Sequence, residues 1–131
     1  MLERSRKYKR IGSRLIEELE EFDYIKDSPV RIVFLTSDEL KKKQNKLVLG
    51  ECIKVNKNYQ WCCKYDFMIV VYEPNCFEFT KEQYEILIRH ELHHVGINQD
   101  GNEPSYFVVP HDVEEFWDII NENGLDWDLK G

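Results

Sequence analysis

At 131 residues the chain has room for one domain with its own core and hardly for two. Its 42% hydrophobic and 13% aromatic content excludes a disordered segment, and no apolar run approaches the roughly 20 residues of a membrane span. The formal net charge of −7 is divided unevenly: residues 1–64 carry +5 and residues 65–131 carry −12, which predicts a basic and an acidic face.

The first residues, through Arg14, are charged with no apolar stretch behind them, so no secretory signal is expected and a cytoplasmic setting follows. Residues 5–22 predict an amphipathic helix, with Ile11, Leu15, Ile16, Leu19 and Phe22 at spacings of three and four. Its basic residues lead and Glu17, Glu18, Glu20 and Glu21 follow, against the helix dipole, so tertiary packing must hold it. Asp27, Ser28 and Pro29 signal a turn.

Residues 30–36 are β-branched and apolar and predict a strand. Residues 37–46 are polar and allow a helical turn capped at Thr36 or Ser37. Residues 47–55 predict a second strand, in which Gly50 marks a bulge or bend. A turn over 57–60 would place Asn58 in the left-handed region, and 61–64 either opens a third strand or completes the loop. Residues 66–72 form the most apolar run and predict a strand buried on both faces. The four cysteines, Cys52, Cys62, Cys63 and Cys76, include no Cys-x-x-Cys pair and read as reduced structural thiols, one of which could still offer sulfur to a metal.

The next helix is expected over 81–95. Thr80 and Gln83 form a capping box, Phe79 and Tyr84 a hydrophobic staple, and Gly96 a C-terminal stop. It contains His90-Glu91-Leu92-His93-His94, a His-Glu-x-x-His pattern. His90 and His94, four apart, leave the same helical face and can grip one ion, while Glu91 can take a proton from water held there. Tyr84, Ile88, Leu92 and Val95 form the core stripe; Gln83, Leu87, His90 and His94 form a neighbouring stripe. His93 projects with Glu82 and Arg89 away from the core.

A loop over 98–105 and a short strand over 106–109 are expected next. A C-terminal helix follows over about 112–122, with Val113, Phe116, Trp117 and Ile120 as its core stripe, Asp112 as N-cap and Glu115 as capping-box partner. A catalytic zinc ordinarily has three protein ligands and an open position. His111 is the remaining histidine and the favoured third ligand; Glu114 is its chief rival, and Asp112 either caps the helix or orients a ligand imidazole. Tyr106 and the Asn98/Asn102 loop are weak candidates for stabilising an oxyanion. The expected architecture is α+β, one domain over 1–131, with a small mainly antiparallel sheet packed on the site helix and helices at both ends.

The segments Arg89-His90-Glu91-Leu92-His93-His94-Val95 and His111-Asp112-Val113-Glu114-Glu115-Phe116 resemble those of a small phage metallopeptidase family among the zincin-like enzymes, and the resemblance spans roughly residues 30–122. It implies a zincin-like fold, a zinc ion held by His90, His94 and His111, Glu91 as general base, a protein or peptide substrate, and a phage or prophage origin. A looser similarity is to SprT-like proteases, which act on proteins bound to DNA. The basic segments at 4–14 and 41–46 invite nucleic-acid contact, but no stacking aromatics interleave the second, so a solvated surface is the favoured reading. Two rival functions are kept: a zinc-stabilised binding module for a host protein or nucleic acid with little turnover, and a metal-free structural domain. Glu91→Gln would disable the enzyme alone, whereas charge reversal at residues 41–43 would disable the binding module.

Overall fold

Leu2–Arg4 forms β1, and Ser5 starts α1 (Arg6–Glu18) by accepting a hydrogen bond from the Tyr8 N–H. The computed structural model describes residues 1–110, so the expected helix over 112–122 and the candidates His111, Asp112, Glu114 and Glu115 lie outside the described residues. α1 ends four residues before the expected boundary. Leu19 turns extended, Glu20–Phe22 makes a single 3-10 turn, and α2 (Asp23–Lys26) follows. The break relieves the run of acids at a negative helix end, and it lets Phe22 turn inward to complete burial.

β2 (Ile32–Ser37) is the expected first apolar strand. The polar stretch after it is a small hairpin, β3 (Lys42–Lys43) and β4 (Lys46–Leu47), and not a helical turn. Gln44 and Asn45 both sit at positive φ, 53° and 62°, the two-residue turn that matches strand twist. β5 (Gly50–Lys54) pairs with β6 (Phe67–Tyr72) in unbroken register, so Gly50 opens the strand and makes no bulge. Between them Asn56 caps a 3-10 turn at Lys57–Tyr59 and residues 61–64 complete the loop; Asn58 is not left-handed, because the Asn56 side chain accepts its N–H and holds the turn.

The four-stranded sheet has the order β1-β2-β6-β5. β1/β2 and β5/β6 are antiparallel and β2/β6 is parallel. β6 lies between β2 and β5 and is buried on both faces, as its apolar run predicts. Alternation divides it: Phe67, Ile69 and Val71 face the main core with α1 and α3 (Lys81–Leu92), while Val70 and Tyr72 join Leu35 on the other face. α1 lies so close to β2 that a Cβ on Gly12 would stand 2.3 Å from Phe34 Cζ.

Thr80 and Gln83 form both bonds of the capping box, and the Phe79 and Tyr84 rings meet at 5.3 Å as the staple expects. α3 then stops at Leu92, three residues early. Val95–Asn98 forms β7, paired antiparallel with β8 (Ser105–Val108), which takes up the main chain of Val95 and its neighbours. Gly96 is therefore a strand residue and no helix stop, with the Phe107 ring in the space its Cβ would fill. The described residues thus form an α+β fold of three α-helices and small, mostly antiparallel sheets. Among them no helix is long and apolar enough to cross a membrane.

Candidate metal centre

The last turn of α3 carries His90 and Glu91, and one further tight turn carries His94. The His94 N–H bonds to the Glu91 carbonyl at 3.0 Å, three residues back, so the chain keeps winding briefly after α3 ends. His94 therefore stays beside His90. Their Nε2 atoms lie 3.2 Å apart and their rings stand at 80°.

The main chain of Val109 meets His94 twice. Its N–H donates to the His94 carbonyl at 2.7 Å, and its carbonyl lies 2.6 Å from His94 Nδ1. A carbonyl can only accept, so Nδ1 carries a hydrogen, and in the neutral ring Nε2 is then the nitrogen with the lone pair, on the side of His90. Histidine ligands of metals are ordinarily held in this way. Two nitrogens at zinc's tetrahedral bond lengths would be about 3.3 Å apart, so the observed spacing fits the edge of such a coordination sphere.

His90, Glu91 and His94 are all about 5% exposed or less. Burial raises the Glu91 carboxyl to about 8, and the negative charge of Glu51 adds to the shift. The edge strand leaves it space: a Cβ on Gly50 would lie 3.4 Å from Glu91 Oε2 and 3.3 Å from Leu87 Cδ1. The Cys52 thiol is pushed up to about 12, first by burial and then by the nearby Glu91 charge.

His93 faces outward with Arg89, as the spacing predicts, and finds a partner there. Glu21 accepts from His93 Nε2 and pairs with Arg89 at 2.7 Å, while the Phe22 ring lies 4.8 Å from that of His93. Tyr106 packs edge-on against Phe67 at 5.9 Å and helps line a cavity of about 250 Å³ with Lys54, Lys57, Gln60 and Glu103. Asn98 accepts the N–H of Asp100 within its own loop. Among the described residues no three His, Cys, Asp or Glu side chains come together to hold an ion. The structure sets His90 and His94 side by side and buries Glu91 on the same helix, near Gly50. It adds Val109, Gly50 and Glu51, of which only Gly50 left a trace in the sequence, as a glycine inside a strand pattern.

A metal-dependent peptidase is the class of protein that this pair of histidines beside a buried glutamate suggests. A family profile described as "Putative phage metallopeptidase" matches residues 1–130, and the chain belongs to that family. Neither the curated proteins nor the solved structures contain a match.

Proposed function

We propose that the protein is a zincin-like, zinc-dependent peptidase in which His90 and His94 bind the ion, Glu91 is the general base, and His111, outside the described residues, is the third ligand. The observation that carries this reading is the 3.2 Å approach of the two Nε2 atoms, with His94 held in the ligand tautomer by Val109. The histidine donors favour zinc over harder cations. When bound, the ion would supply Lewis-acid polarisation of the scissile carbonyl and acidify water.

The chain's own residues supply the rest. Glu91 accepts the proton of the attacking water and passes it to the leaving amine. Among the described residues β5 is the last strand of its sheet, and it would serve as a platform for an extended substrate. Leu49 and Val55 both bond to β6, so by alternation the main chain of Gly50, Cys52 and Lys54 faces away from it. A peptide adding along this edge would pass the Glu91 carboxyl at Gly50. The central strand β6 is paired on both sides and has no edge to offer.

The test is Glu91→Gln, assayed on an unfolded protein substrate with zinc content measured in parallel. The reading expects zinc to be kept and hydrolysis to be lost; undiminished hydrolysis in the variant would refute it.

A further inference from the structure

The outer side of the site helix is braced by the segment that joins α1 to β2. Glu21 divides its carboxylate between two residues of the last turns, Oε1 with Arg89 Nη2 at 2.7 Å and Oε2 with His93 Nε2. Phe22, fully buried, sets its ring 4.8 Å from that of His93. Tyr24 donates its hydroxyl hydrogen to the Val95 carbonyl at 2.6 Å. Residues 89, 93 and 95 bracket the three candidate site residues in sequence. The contacts come from one short stretch, Glu21 to Tyr24, across a sequence separation of about seventy residues.

A helix end without such partners frays, because its last carbonyls lack intrahelical donors. Here the end must also release a strand, since Val95 starts β7 one residue after His94. The direction of the His94 imidazole thus depends on where the turn from His93 to Val95 is held. Val109 holds that turn from within, through His94 itself. Glu21 and Tyr24 hold it from outside.

We propose that Glu21 and Tyr24 are positioning residues for the metal pair, fixing the turn from His93 to Val95 and with it the spacing between His90 and His94. The inference rests on the reading that these histidines bind a divalent cation. Outer partners of metal ligands ordinarily contribute about 10- to 100-fold in affinity.

A second ion pair provides the control. Arg14 bonds to Glu85 and also ties the first helix to α3, but on an earlier turn of that helix. Arg14→Gln removes a comparable clip without touching the end that carries His94.

The experiment is titration of the metal-free full chain with Co2+, read by its visible absorption, for the wild type, Tyr24→Phe, Glu21→Gln and Arg14→Gln. The melting temperature of each metal-free protein is recorded beside it. Tyr24→Phe removes only the hydroxyl of a partly exposed side chain, so it serves even if Glu21→Gln folds poorly. The expected result is Co2+ binding about tenfold or more weaker in Tyr24→Phe and Glu21→Gln, with an altered cobalt band. Arg14→Gln should bind as the wild type does, whatever its melting temperature. Wild-type affinity and an unchanged band in Tyr24→Phe would overturn the positioning role while leaving the metal reading intact. An equal loss in Arg14→Gln would overturn it too, by showing that general loosening of the helix is enough. No Co2+ binding by the wild type would overturn both readings together.

Discussion

Gly50 and Glu91 face each other between the edge strand and the site helix, so close that one added carbon on Gly50 would stand 3.4 Å from the Glu91 carboxylate. The same carbon would meet the Val70 carbonyl at 3.1 Å and Leu87 at 3.3 Å. Gly50→Ala is expected to fit after shifts of a few tenths of an ångström. Gly50→Val sends two further carbons into the same space and is expected to cost about 1–3 kcal/mol. It should also lower hydrolysis more than it lowers zinc content, since it presses on Glu91. Urea unfolding, zinc analysis and a protein-hydrolysis assay of the two variants test this; equal behaviour of Ala and Val would contradict it.

Gly12 tests the packing of the main core. A methyl there would fall 2.3 Å from Phe34 Cζ, and Phe34 is itself buried at 5% exposure, so the ring has no solvent to swing into. Alanine gains about 1 kcal/mol of helix propensity over glycine, but the clash outweighs it. Gly12→Ala is expected to destabilise by about 1–3 kcal/mol, measured by thermal or urea unfolding. A more stable Gly12→Ala would mean that α1 does not lie this close to β2.

The buried Glu91 carboxyl predicts a pH dependence for the metal-free protein. Its folded pKa is raised from 4.5 to about 8 by burial, with Glu51 adding. The folded state therefore holds the proton more tightly than the unfolded chain. The stabilisation is complete below about pH 4.5 and is lost as pH rises through about 8, at a slope of up to about 1.4 kcal/mol per pH unit. Glu91→Gln cannot titrate there, and the other groups are common to both proteins. In chelator, the wild type is expected to lose stability relative to Glu91→Gln between pH 5 and pH 8. Parallel curves would show that Glu91 is not buried in this way.

What the sequence revealed follows the range of the forces involved. The capping box of Thr80 and Gln83, the staple of Phe79 and Tyr84, and the apolar run of β6 are local signals, and each appears as expected. β1 has three exposed residues and no periodicity, and it exists only because Leu35, Thr36 and Ser37 pair with it. Gly96 looks like a helix stop, but pairing of Val95 to Asn98 with β8 decides where α3 ends. The site divides in the same way. Spacing alone brings His90 and His94 to one side of a helix. The Val109 carbonyl and the clamp of Glu21 come from distant parts of the chain, and no local pattern announces them, while the open space at Gly50 shows only as a glycine inside a strand pattern.

The most direct test of the account is zinc content by elemental analysis, after the purified chain has been supplied with zinc and desalted. The wild type is compared with His94→Ala, and His111→Ala beside them examines the third position. The account predicts about one zinc per chain in the wild type, lost in His94→Ala and sharply weakened in His111→Ala. A wild type without zinc, or a His94→Ala variant that holds it equally well, would contradict the claim that His90 and His94 form a metal site.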